Sequence, residues 1–185
     1  MYAKATTATF PKLRPARTVA EKMIKVDHAG ENGAVNIYRA QRLVAQVRAP
    51  SLCGQLAEFQ QHEESHRRIF AAHLEKIGVR RCVSYHLSAV GGYALGFVTG
   101  LIGPSAIAAT TFAVEHVVLR HLEEQLDYLR TTSPDARDCV TQIYEDERRH
   151  HDIAEDHLVR DGWMTRVLIA VVQFSTEQVI RIGMR

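Results

Sequence analysis

Glu63-Glu64-Ser65-His66 and Glu147-Arg148-Arg149-His150 are two copies of one short pattern, Glu-x-x-His. In an α-helix, residues three apart lie on one face, one above the other. A carboxylate and an imidazole so placed can grip one metal ion. Each pair has a further Glu the same distance upstream: Glu31 lies 32 residues before Glu63, and Glu115 lies 32 residues before Glu147. The whole set repeats at an offset of 84, and the flanks repeat with it, pairing Gln41 with Gln125, Ile69 with Ile153, His73 with His157 and Gly78 with Gly162. A single Glu-x-x-His is common by chance; two with matched partners and flanks are not. Repeats at this scale indicate repeated supersecondary units. The expectation is an all-α, ferritin-like four-helix bundle with two extra apolar helices, built as a 3+3 internal repeat around one site.

The hydrophobic periodicity supports helices around each pair. A first helix is expected over 18–48, with Thr18 as N-cap. Met23, Val26, Gly30, Gly33, Ile37, Gln41 and Val44 trace its stripe, and Asp27, Glu31, Ala34 and Tyr38 lie beside it. Small residues at Gly30 and Gly33 would let a neighbouring helix or a substrate come close. Ala49-Pro50-Ser51 breaks the pattern. A second helix follows to about Ile77, with Gly78 in the position after the C-cap. Its stripe, Leu52, Leu56, Phe59, Glu63, His66, Phe70 and His73, carries a Glu and a His where apolar residues belong. Burying an unpaired carboxylate is costly, and a metal ion removes that cost. The fourth helix, from about Ser105 to Arg130, carries Glu115 in its apolar stripe. The fifth, opened by Ser133-Pro134 and reaching about Arg160, carries Glu147 and His150.

The six residues Glu31, Glu63, His66, Glu115, Glu147 and His150 supply four negative charges, which balance two divalent ions. An oxygen-rich, thiol-free set suits iron or manganese better than structural zinc or copper. His73 and His157 fall ~10 Å along the helix axes from His66 and His150, too far to join the same site. Asp27 and Asp146 are candidates to hold the free ring nitrogen of a ligand His. His121 is a candidate to face substrate or to support the site.

From Ser84 to Val114 the chain has 31 residues without Asp, Glu, Lys or Arg. Gly103-Pro104 divides the run, and Gly92, Gly96 and Gly100 form a close-packing ridge at four-residue spacing. Two readings fit the first part: a buried third helix, or a helix lying on the membrane and lining an entrance for a lipid substrate. It is short for a spanning helix. The sixth helix, from Trp163 onward, is amphipathic and richly apolar.

Residues 1–18 carry Lys4, Lys12, Arg14 and Arg17 and no acid. A basic flexible arm is expected there, before a single domain over 19–185. An organellar transit piece and a segment touching anionic lipid both fit its composition. The net charge of +2 argues against nucleic acid as partner. Three widely spaced cysteines without a CxxC read as reduced thiols.

Val26-Asp27-His28-Ala29-Gly30-Glu31, Ile37-Tyr38, Glu63-x-x-His66, Gly92-Tyr93-Ala94-Leu95-Gly96, Ala113-Val114-Glu115 and Glu147-x-x-His150-His151-Asp152-Ile153 together resemble the demethoxyubiquinone hydroxylase family of ubiquinone biosynthesis. The resemblance covers residues 22–185. It implies a di-iron monooxygenase that hydroxylates the ring of a polyprenylated methoxy-benzoquinol with O₂. Its six iron ligands fall on the six residues named above, with Glu63 and Glu147 bridging and Glu31 and Glu115 terminal. It further implies NADH as external reductant, a peripheral position on the membrane surface, and a lipid-binding or ubiquinone-biosynthesis partner protein. That position is the cytoplasmic side of a cell membrane, or the matrix side of the mitochondrial inner membrane. The family's His six residues after the fourth-helix Glu falls on His121, and Leu122 stands where an aromatic often follows. A ferritin-like ferroxidase or peroxide-scavenging protein is the alternative, and it gives the long uncharged run no role.

Overall fold

The structure, a computed structural model, describes residues 13–158 and 162–185. Its helices are α1 (Val19–Arg48), α2 (Cys53–Lys76), α3 (Tyr85–Ile102), α4 (Pro104–Thr132), α5 (Pro134–Asp156) and α6 (Trp163–Gly183), with a 3₁₀ turn at Pro50–Leu52 between the first two. No β-strand occurs among the described residues; the one isolated bridge joins Arg14 to Val79.

Local chemistry sets the helix ends. Thr18 caps α1 in a capping box: the Glu21 N–H donates to Thr18 Oγ1 at 3.2 Å, and the Glu21 carboxylate accepts from the Thr18 N–H. Helix α2 ends in a Schellman turn. Gly78 takes φ +68°, its N–H bonds to Glu75 O, and the Val79 N–H bonds to Leu74 O at 2.9 Å. Pro134 takes the first position of α5, as expected, but the Ser133 side chain makes no capping bond. Helix α5 stops at Asp156, short of the expected Arg160. Residues 159–161, including Asp161, lie outside the described residues.

The expected basic arm divides in two. Residues 1–12 lie outside the described residues, whereas residues 13–17 are pinned. Arg14 N–H donates to Gly78 O and Arg14 O accepts from Arg80 N–H, both at 2.9 Å. The Arg14 guanidinium grips both oxygens of Glu21 and, through hydrogen bonding first, holds that carboxyl down at about 2. Arg14 thus clamps the start of α1 to the end of α2.

Helices α1 and α2 pack along each other, as do α4 and α5, and the two pairs close into an all-α, ferritin-like bundle. Helix α3 lies on α1 and helix α6 on α4. The C-terminal half of the stripe expected on α1, Gly33, Ile37, Gln41 and Val44, is the seam for α3. A Cβ at Gly92 or Gly96 would run into the backbone of Gly33 or Ile37, and Gly100 sits against Val44 and Gln41. Gly33 faces α3, but Gly30 is exposed with nothing near it, so only one of the two α1 glycines admits a neighbour. The second row of α1, through Ile24, Glu31, Tyr38 and Ala45, faces the bundle interior. One apolar cluster, including Ile24, Phe70, Leu122, Leu129, Val140 and Ile143, fills one end of that interior. Another, including Tyr38, Ala45, Leu56, Phe59 and Ile107, fills the other. The polar residues of the repeat lie between them.

Candidate metal centre

Each of the four bundle helices delivers its residue by register. On α2, Leu56 and Phe59 enter one cluster and Phe70 and Leu74 the other, so Glu63 and His66 are carried to the level between. The same spacing places Glu147 and His150 on α5, Glu31 on α1 and Glu115 on α4. All six side chains meet, and all are buried; none of the residues is more than 6% exposed. They form two groups of four, Glu31–Glu63–His66–Glu147 and Glu63–Glu115–Glu147–His150, each with its ligand atoms within 4.8 Å of one another. Glu63 and Glu147 belong to both.

Both imidazoles turn Nδ1 inward. His66 Nδ1 lies 2.9 Å from Glu147 Oε1 and 3.6 Å from Glu63 Oε2. His150 Nδ1 lies 3.0 Å from Glu63 Oε1 and 3.8 Å from Glu147 Oε2. Despite these distances, His66 Nδ1, His150 Nδ1, Glu63 Oε1 and Glu147 Oε1 lack hydrogen-bond geometry and stand as buried polar atoms without partners. Buried orphans of this kind are rare in proteins and call for an explanation. A shared cation at the centre supplies one, because every orphan is a metal-ligating atom aimed at the same place.

The electrostatics of the site agree. Burial first, then repulsion from Glu147 and Glu63, raises the carboxyls of Glu31 and Glu115 well above the usual range. For His66, burial favours the neutral ring but the Glu147 and Glu63 carboxylates outweigh it and push the imidazole up to about 12. His150 is driven by the same opposing causes up to about 9. Burial would raise Glu63 and Glu147, yet contacts with the two imidazoles hold both low. Glu31, Glu115, His66 and His150, crowded with two ionised carboxylates into a dry core, thus retain protons that cations can replace.

The surrounding residues differ from expectation in part. Asp146 Oδ2 lies 3.1 Å from His66 Nε2. A carboxylate only accepts, so Nε2 carries the hydrogen and Nδ1 is left to face the carboxylates. Asp27 does not reach a ligand His. Its Oδ1 accepts from Gln125 Nε2 at 3.0 Å and its Oδ2 is a buried orphan, because the α1 register points it across to α4 one turn away from Glu31. Tyr38 donates its hydroxyl to Glu115 Oε1 at 2.8 Å. His121 Nε2 lies 3.0 Å from Glu177 Oε2 of α6, and Arg120 and Arg181 join the same carboxylate. His73 is buried away from the site, toward Asp135 and Lys76.

Two residues were missed by sequence reasoning. His62 Nδ1 sits 3.1 Å from His150 Nε2, behind that ring as Asp146 sits behind His66. The signal was present: His62 stands at the 84-residue offset from Asp146. Glu177 had no comparable signal, because it reads as one charge on the polar side of an amphipathic helix.

The sequence model of the family described as "Ubiquinone biosynthesis protein COQ7" matches residues 18–183. A human protein named NADPH-dependent 3-demethoxyubiquinone 3-hydroxylase, mitochondrial, is 30% identical over 92% of this chain and 79% of its own length. A Dictyostelium discoideum protein of the same name is 28% identical over 98% of this chain and 84% of its own length. A 3-demethoxyubiquinol 3-hydroxylase from Cupriavidus metallidurans is 31% identical over 72% of this chain and 64% of its own length. With the match running from the cap of α1 to the end of α6, the chain belongs to the COQ7 family of ubiquinone biosynthesis proteins.

Proposed function

We propose that this protein is a di-iron monooxygenase that hydroxylates the ring of demethoxyubiquinol, a polyprenylated methoxy-benzoquinol, in ubiquinone biosynthesis. The observation that carries the reading is the pair of buried four-residue groups sharing Glu63 and Glu147, in a chain whose relatives are named for that hydroxylation. Glu31 and His66 would hold one iron, Glu115 and His150 the other, and Glu63 and Glu147 would span both. When bound, the pair supplies O₂ activation and transfer of one oxygen atom to the ring, the other leaving as water. The oxygen-rich donor set favours iron or manganese; the reaction class selects iron.

The chain's own residues do the rest. Asp146 and His62 fix the ring orientation of His66 and His150, with Nδ1 inward. Tyr38 fixes Glu115. The two apolar clusters above and below exclude water from the site, which strengthens every charge interaction inside it.

The outer faces of α3 and α6 suit a lipid substrate. Helix α3 is the one described helix long and apolar enough to cross a membrane by length and composition alone, and only 22% of it is buried. It exposes Leu87, Val90 and Ile102, and α6 exposes Trp163, Val171 and Phe174. We read these faces as lying on the membrane surface without spanning it, where an isoprenoid tail resides. A lipid-binding partner protein would dock on the same side. The external reductant is a reduced nicotinamide cofactor; NADH was expected, and the names of the eukaryotic relatives specify NADPH. Those names also place the relatives in mitochondria, which suits the matrix side of the inner membrane; the cytoplasmic side of a bacterial membrane corresponds to it. Iron handling by a ferroxidase or peroxide scavenger is disfavoured, since it leaves the exposed apolar faces of α3 and α6 without a role.

The test is complementation. In cells lacking their own demethoxyubiquinone hydroxylase, expression of this chain should clear the demethoxy precursor and restore ubiquinone in lipid extracts, and Glu147→Ala should not. Persistence of the precursor alongside expressed, iron-loaded protein would refute the substrate assignment.

A further inference from the structure

The 84-residue repeat equates the six proposed ligands in pairs, but it fails at two neighbouring positions. Where the half built on His66 has the carboxylate of Asp146 behind its imidazole, the half built on His150 has the imidazole of His62. Where Glu115 receives a hydrogen bond from Tyr38, the residue at the offset position from Tyr38 is Leu122, which has nothing to donate to Glu31.

Both differences act in one direction. A carboxylate accepting the Nε2–H of a ligand His raises the basicity of the inward Nδ1 and strengthens its bond to a cation. Asp146 lies 3.1 Å from His66 Nε2 and does this with a full negative charge. His62 can accept the Nε2–H of His150 only through a bare Nδ1, so it orients the ring without adding charge. The Tyr38 hydroxyl draws electron density from Glu115, and Leu122 leaves Glu31 untouched. His62 and Asp146 are themselves 4.0 Å apart, so the two supports stand side by side at the rim, one charged and one not.

We propose that the two halves of the centre are unequal by construction: the half built on Glu31 and His66 takes the first divalent ion, and the half built on Glu115 and His150 takes the second. Asp146 and His62 are the positioning residues that set the order. This rests on the di-metal reading of the site and adds to it a sequence of loading.

Anaerobic titration of the metal-free protein with Mn²⁺, followed by calorimetry and electron paramagnetic resonance, tests it. Wild type should bind in two steps separated at least tenfold in Kd, with the six-line signal of uncoupled Mn²⁺ dominating at one equivalent. Asp146→Asn keeps an acceptor and removes the charge; it should weaken the first step by about ten- to a hundredfold and draw the two steps together. His62→Leu should weaken the second step about tenfold and leave the first in place. Circular dichroism of each variant establishes that the fold is retained, so neither result can be assigned to unfolding. A single class of two equal sites in wild type, or loss of only the weaker step in Asp146→Asn, would overturn the order while leaving the di-metal reading intact. Failure of wild type to bind Mn²⁺, Fe²⁺ or Co²⁺ at all would overturn both.

Discussion

Tyr38 of α1 and Glu115 of α4, 77 positions apart in the chain, are joined by a 2.8 Å hydrogen bond in the dry centre of the bundle. Tyr38 is 2% exposed and its ring meets Phe59 edge-on, so its hydroxyl has no water to turn to. Replacing it with Phe preserves the packing and deletes the bond. Tyr38→Phe should lose about 1–2 kcal/mol of stability. It should also lower turnover about tenfold, because Glu115 is no longer held in one orientation. Chemical denaturation and steady-state kinetics at matched iron content separate the two effects. Turnover equal to wild type would show that the bond is structural only.

Metal content should depend on the proposed ligands and not on His73, a buried histidine outside the site. Glu147→Ala removes an oxygen donor common to both four-residue groups, so purified protein should fall from two irons per chain to fewer than one. His73→Ala lies outside the site and should retain two. Elemental analysis of the purified variants decides it. Loss of iron in His73→Ala with retention in Glu147→Ala would reverse the assignment.

Asp27 makes stability depend on pH. Burial, only partly offset by the Gln125 hydrogen bond, pushes its carboxyl up to about 7. The ordinary value, 3.8, holds in the unfolded chain. The folded state therefore binds the proton more tightly. Below about pH 4 both states hold it and Asp27 has no effect. As pH rises through 4 to 7 the folded state loses stability, and above 7 the loss stays constant at about 4 kcal/mol. Asp27→Asn removes this dependence, so the variant should gain on wild type by that amount between pH 4 and pH 8. Urea denaturation of both proteins across the range gives the difference directly. A difference that does not change with pH would contradict the buried, protonated carboxyl.

Helix α3 should tolerate a methyl group on one side and not on the other. Gly96→Ala would drive a Cβ into the Ile37 carbonyl of α1 and should cost about 1–3 kcal/mol, seen as a fall of several degrees in Tm. Gly91→Ala points into open space and should gain up to about 1 kcal/mol from helix propensity. Equal effects of the two substitutions would contradict the α1–α3 seam.

Much of this architecture is legible before folding because the chain repeats its chemistry at a fixed offset. Glu63, His66, Glu115, Glu147 and His150 are detectable as polar intrusions in apolar stripes, Glu31 by its 32-residue spacing to Glu63, and a buried carboxylate needs a reason to be there. Thr18 and Gly78 mark helix ends because their requirements are local. What stayed hidden depended on which neighbour each face meets. Helix α1 is buried on two sides, so periodicity reveals two stripes without saying that Gly33 meets α3 and Gly30 meets nothing. Asp27 sits one turn from Glu31 and looks equally suited to a ligand His, but its direction across to Gln125 follows from the packing of α1 on α4. His62 was overlooked because it lies beside the apolar stripe, at the rim of the site, where a histidine ordinarily faces solvent. Its use depends on the orientation of the His150 ring, which only the folded bundle determines.

The central claim is that this protein places an oxygen atom from O₂ on a quinol ring. The most direct measurement is incubation of the iron-loaded protein with demethoxyubiquinol, a reduced nicotinamide cofactor and ¹⁸O₂, followed by mass spectrometry of the extracted quinone. The prediction is a hydroxylated product carrying a single ¹⁸O on the ring, absent with Glu147→Ala. Consumption of ¹⁸O₂ with no label in the quinone, or a product labelled only from H₂¹⁸O, would contradict it.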